Sequence, residues 1–95
     1  MFFVDETLAY DEIKDAMSIG ATIQNMLLAA SWINIGTCWI GDIISNVSII
    51  SDYFDMNSCY TLLGAVSLGY FISKSTVIIP PKRYDIHDMV LEHRK

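Results

Sequence analysis

Charged side chains are scarce in this sequence. They make up 18% of it, against about a quarter in ordinary soluble proteins, while 53% of the residues are hydrophobic. Intrinsic disorder is excluded, because a disordered chain needs the opposite balance. Basic residues are scarcer still: six Lys and Arg stand against eleven Asp and Glu, for a net charge of −5 and a pI near 4.6. A nucleic-acid binder needs clustered cations to neutralise phosphates, so no nucleic-acid partner is expected. Lys14 is alone among the first 73 residues, and Lys74, Lys82, Arg83, Arg94 and Lys95 fall in the last 22. An acidic body with a basic tail can still hold one phosphate group.

Other absences narrow the chemistry. Cys38 and Cys59 are the two cysteines, 21 residues apart, with no CxxC and no Cys/His metal spacing. They can form a disulfide, but reduced, buried thiols of a cytoplasmic protein are the expectation. The N-terminus MFFVDET lacks the basic start of a signal peptide. There is no G-x-S-x-G elbow, no G-x-G-x-x-G and no Walker loop. His87 and His93 have no ligand cluster beside them and read as surface residues, so neither a metal site nor a catalytic side chain is expected.

At 95 residues the chain forms one small domain, which buries roughly 60–65% of the surface of its unfolded state. A composition this apolar leaves surface for a partner: a second copy, another polypeptide or a membrane. Two runs without formal charge, residues 16–41 and 56–73, have the length of membrane spans. The first carries Ser18, Thr22, Gln24, Asn25, Ser31, Asn34 and Thr37 and is broken by Gly36. The second carries Asn57, Ser58, Thr61, Gly64, Ser67 and Gly69. Both suit a soluble core better than a bilayer.

Periodicity predicts the elements. Phe2-Phe3-Val4 reads as the end of a strand, and Asp5 to Lys14 as an acidic loop. Asp15 is the expected cap of a helix reaching about Asn34. Ala16, Ile19, Ile23, Met26, Leu27, Ala30 and Ile33 form its apolar stripe. Leu28, Ala29 and Trp32 make it apolar on other faces too, the mark of a central helix. Its polar Gln24 and Asn25 are expected to be hydrogen-bonded internally. Gly36 is placed as the C-cap glycine. Thr37–Ile40 follows as a strand, then a helix over 47–54 capped by Asn46. A long strand from Tyr60 to Tyr70 is expected to be covered on both faces. Pro80-Pro81 ends regular structure, and Asp85 with Asp88 suggests a weak capping box. The order is β-α-β-α-β with a C-terminal tail, a thin α+β layer small for independent stability.

The run Asn25-Met26-Leu27-Leu28-Ala29-Ala30, followed by Ile35-Gly36-Thr37-Cys38-Trp39-Ile40-Gly41, resembles the nitroreductase family. That family's central helix reads like QNxLLAA and leads through a glycine into a SCWIG-type strand. Ser67-Leu68-Gly69-Tyr70 is similar to its strand ending in L-G-Y. Lys82-Arg83 before Ile86-His87-Asp88-Met89-Val90 is similar to its C-terminal basic residue and following short segment. The likeness spans nearly all of the chain but only the second half of a typical member. It implies a nitroreductase-like half domain, residues 1–95, with a central buried helix. Phe71 stands where the family usually has proline.

The resemblance implies an FMN-dependent NAD(P)H oxidoreductase, truncated or half-length, that passes hydride to nitro compounds, quinones or similar acceptors. By the same likeness, the backbone of Ile40, Gly41 and Asp42 faces the flavin ring. A glycine there lets the backbone approach the ring closely. Arg83 corresponds to the arginine that binds the FMN phosphate, for which a planar guanidinium fork is suited. Lys82 is the weaker candidate, because the family's extra basic residue falls where this chain has Pro81. The family's N-terminal half, with its phosphate-clasping helix start, has no counterpart here. The resemblance therefore implies a homodimer or a second polypeptide supplying that half. The alternatives are a non-catalytic dimerising module of the same fold and a small two-span membrane protein.

Overall fold

The computed structural model describes residues 1–72 and 79–90. Its elements run β1 (Phe2–Asp5), α1 (Glu12–Trp32), β2 (Gly36–Ile40), a 3-10 helix (Asp42–Asn46), α2 (Val47–Tyr53), β3 (Tyr60–Gly69) and α3 (Ile86–Met89). The expected α+β order is therefore present. Among the described residues, no helix is long and apolar enough to cross a membrane.

β3 is the middle strand, and both neighbours run antiparallel to it. Phe2 faces Gly64 and Asp5 faces Tyr60, with a bulge between Phe2 and Phe3. Gly36 faces Gly69 and Ile40 faces Ala65. β1 and β2 are thus parallel to each other on opposite sides of β3, and α1 carries the chain across the sheet between them.

The cap of α1 lies four residues before the expected one. Asp11, in extended conformation, accepts the Lys14 N–H at 2.9 Å. Asp15 takes a supporting role, accepting the Asp11 N–H at 3.4 Å. Two carboxylates precede the apolar stripe, and Asp11 wins because Glu12 and Ile13 are free to be helical behind it. Just upstream, Asp5 closes a tight turn by accepting both the N–H and the hydroxyl of Thr7, at 2.9 and 2.6 Å. The helix ends at Trp32 and not near Asn34. The left-handed residue beyond it is Asn34, at φ 58°, and not Gly36, which opens β2. Asparagine tolerates that conformation, so the glycine is not needed there.

Of the expected stripe, Ile23 and Ala30 are buried, and Ile19, Met26 and Leu27 are half-buried. Ala16 and Ile33 are exposed. Gln24 and Asn25 are exposed as well, so neither needs the internal hydrogen bonds expected of it. Among the described residues, the buried apolar ones are Ile23, Ala30, Leu62 and Ala65. This core lies where α1 crosses β3, and it explains the small residues at the centre of that strand. A Cβ on Gly64 would stand 3.1 Å from Ile23 Cδ1 and 3.3 Å from Trp39 Nε1.

Four further expectations change in detail. Asn46 precedes α2 but makes no side-chain capping bond, because the 3-10 helix already leads into it. β3 is not covered along its whole length: Ser67, Leu68 and Gly69 are exposed. Asp85 caps α3 by accepting the His87 N–H at 2.8 Å, while Asp88 gives its N–H to the Asp85 carbonyl at 3.0 Å, so no reciprocal box forms. Cys38 and Cys59 are free, as expected, but Cys38 is exposed and Cys59 half-buried. Lys74, His93, Arg94 and Lys95 lie outside the described residues.

The radius of gyration is 17.1 Å, against about 12 Å for a compact chain of this length. The accessible surface is 8505 Å², against about 5500 Å² for a compact protein of this mass.

Candidate functional site

β2 ends at Ile40, and the chain turns at once into the 3-10 helix through Gly41. Gly41 has right-handed helical dihedrals, φ −76° and ψ −41°, so its value there is not conformational. Packing within this chain does not require glycine there either, since a Cβ built on Gly41 would meet no atom within 4 Å. Ile40, Gly41 and Asp42 are all exposed. The first N–H groups of a helical turn have no carbonyl partner within it. The turn therefore offers backbone donors on a surface that a flat, polar ring edge can reach.

Trp39 holds this turn from below. Its side chain lies between two glycines, one on the helix and one on the strand. A Cβ on Gly20 of α1 would be 3.8 Å from the indole Cη2, and the Gly64 contact from β3 is tighter, at 3.3 Å to Nε1. The indole thus links α1, β2 and β3 one residue before Ile40. Trp39 remains 44% exposed despite these contacts. In the sequence, the small residues at Gly20 and Gly64 were the available signal for this slot, but only the register joins them.

Lys82 and Arg83 are placed differently. Both are exposed, in a segment without regular structure ahead of α3. No ion pair or hydrogen bond among the described residues engages either one. Their donor chemistry suits a phosphate. Ile40, Gly41 and Asp42 are consecutive and share one exposed turn.

Two hollows flank α1. Met26, Ala29, Ala30, Trp32, Ile33, Ile35 and Leu68 line an open apolar groove of about 680 Å³ at its C-terminal end. A smaller hollow of about 420 Å³ at its N-terminal end is lined in part by Glu6, Asp11, Glu12 and Asp15. No group of His, Cys, Asp and Glu among the described residues is arranged to hold a metal ion.

The model of the Nitroreductase family matches residues 5–70. The Gly41 turn lies inside that match, and Lys82 and Arg83 lie beyond it. Among solved structures, a provisionally assigned nitroreductase from Desulfovibrio desulfuricans, in complex with FMN, superposes with a TM-score of 0.82 at 27% identity. The likeness covers 97% of this chain and 52% of the solved one, so the chain spans about half the length of that relative.

Proposed function

The chain belongs to the nitroreductase family, and we propose that residues 1–95 are one partial domain of an FMN-dependent oxidoreductase, completed by a homodimer partner or a second polypeptide. The observation that carries this reading is the open Ile40–Gly41–Asp42 turn, within the family match and on a fold similar to an FMN-bound relative. FMN, when bound, supplies the hydride chemistry, with NAD(P)H as donor and nitro compounds, quinones or similar compounds as acceptors.

The chain's own residues have a limited set of tasks. The N–H groups at Gly41 and Asp42 donate to the polar edge of the ring, and Ile40 brings the strand end up to it. The absent Cβ at Gly41 permits the approach. Arg83 pairs with the phosphate, and Lys82 adds charge beside it. Trp39, set between Gly20 and Gly64, keeps the strand end at a constant height. No side chain of this chain is assigned a proton, since the cofactor carries the reacting atoms. A cytoplasmic location belongs to the same proposal.

The excess surface supports a completing partner. Leu28, Trp32 and Ile33 are apolar and 60%, 89% and 62% exposed, a greasy surface that asks for cover. The apolar groove on α1 also favours a second reading, in which the same surface dimerises and no redox chemistry follows.

FMN titration of size-separated fractions, followed by flavin fluorescence, tests the two. Saturable quenching is expected in the assembled fraction and little or none in the monomer. Arg83→Gln should weaken that binding at least about tenfold, the scale of a charge-assisted hydrogen bond. Assembly without saturable quenching in any fraction favours the non-catalytic module.

A further inference from the structure

Formal charge is nearly absent from the stretch of chain that carries the Gly41 turn. Between Ala16 and Ser51 the sequence holds one charged residue, Asp42. It opens the 3-10 helix directly after Gly41 and is exposed. Among the described residues, no hydrogen bond or ion pair engages its carboxylate. The next formal charges along the chain, Asp52 and Asp55, are acidic and exposed as well. Lys14, the one base before residue 74, sits in the first turn of α1, over the Tyr10 ring at 5.2 Å. No base in residues 16–51 offsets the Asp42 carboxylate.

The neighbours of that carboxylate in the chain are apolar. Trp39, Ile40 and Ile44 are 44%, 39% and 55% exposed. Apolar groups displace water and weaken the screening of a charge beside them. The turn thus combines exposed apolar surface, suited to a flat aromatic compound, with one fixed negative charge.

The charge and the ring-facing backbone belong to the same residue. Under the proposed function, the Asp42 N–H donates to the polar edge of the flavin. The edge held by that N–H lies within one screening length of the Asp42 carboxylate, about 8 Å in physiological salt, whichever rotamer the side chain takes. A compound that reacts at that edge meets the same charge. A negative group on the compound costs affinity there, while a neutral or positive group does not.

We propose that Asp42 sets the acceptor class of this site, admitting neutral or cationic aromatic compounds and disfavouring anionic ones of the same shape. The inference rests on the reading that the Gly41 turn faces FMN.

Equilibrium binding to the assembled, FMN-loaded protein tests the proposal without turnover. Benzamide and benzoate have nearly the same shape and differ by one negative charge at neutral pH. Each is titrated while the flavin absorbance is followed. Benzamide should bind about tenfold tighter than benzoate, the scale of a partly screened like-charge pair. Salt at about 1 M, where the screening length is about 3 Å, should cut that preference to about twofold. Asp42→Asn should do the same at low salt, and Asp42→Lys should make benzoate the tighter ligand. The side chain is exposed and unbonded among the described residues, so neither substitution threatens the fold. Asp52→Asn, which removes an equal charge from α2, should leave the preference unchanged. An equal response to the two probes in the unmodified protein, including no response to either, would overturn the proposal. So would a preference that survives Asp42→Asn. Both results leave FMN binding intact. Absence of saturable flavin binding in every fraction overturns the FMN reading, and this inference with it.

Discussion

The two faces of α1 have similar hydropathy and opposite fates. On one face Ile23 is fully buried against β3. On the other, Leu28 is 60% exposed and Trp32 89% exposed. Nothing in the helix itself separates these residues, since isoleucine, leucine and tryptophan all favour burial. The difference lies in what stands opposite. Gly64 and Trp39 leave room shaped for Ile23, while no described residue covers the indole of Trp32. An apolar residue states a demand for cover, and the tertiary arrangement decides whether this chain supplies it.

Substitutions on the core and on the open face should separate the two most strongly. Leu62 is 1% exposed, so Leu62→Ala should lower unfolding free energy by about 2–5 kcal/mol, the loss of contacts plus a cavity. Leu28→Ala should change it by no more than about 0.5 kcal/mol in the monomer. Urea denaturation of both variants measures the contrast. Similar losses would mean that α1 is covered on both faces in solution.

The two glycines around Trp39 sharpen the comparison on a smaller scale. Gly64→Ala forces a Cβ against Ile23 and Trp39, which should destabilise by about 1–3 kcal/mol through overpacking and shift the tryptophan emission. Gly20→Ala meets only an ordinary contact at 3.8 Å. There, the gain in helix propensity should stabilise by about 0.5–1 kcal/mol. Thermal unfolding with emission spectra reads both, and equal signs for the pair would show that Trp39 is not seated between them.

The smallest effect belongs to the helix start. Asp11→Ala removes the bond to the Lys14 N–H and should lower stability by about 1 kcal/mol. Asp15→Ala should have less effect, because its longer bond to the Asp11 N–H only supports the cap. Equal losses, measured by thermal unfolding, would restore Asp15 as the cap.

Much of this architecture is legible in the sequence. Apolar spacing of 3.6 located α1, and the continuous run at 60–69 located β3, because burial of one face imposes a period on the sequence. The boundaries were less legible. Asp11 and Asp15 are chemically equivalent candidates for a cap, and only the local dihedrals choose. Gly36 was a reasonable helix end until Asn34 adopted the left-handed conformation instead. The Gly41 turn was found through its neighbours Trp39 and Ile40, which carry the likeness to the family. The slot formed by Gly20 and Gly64 was not, since two residues 44 positions apart share no local pattern.

The sequence by itself determined that this chain folds, that it is acidic and apolar, where its long helix and middle strand lie, and that it wants cover. These follow from local propensity and from the solvation of side chains, which each residue carries with it. Tertiary structure alone decided which face of α1 is covered, how β1 and β2 register on β3 and why glycine stands at position 64. Those outcomes depend on register, and register is a property of strands and helices brought together, not of any one segment.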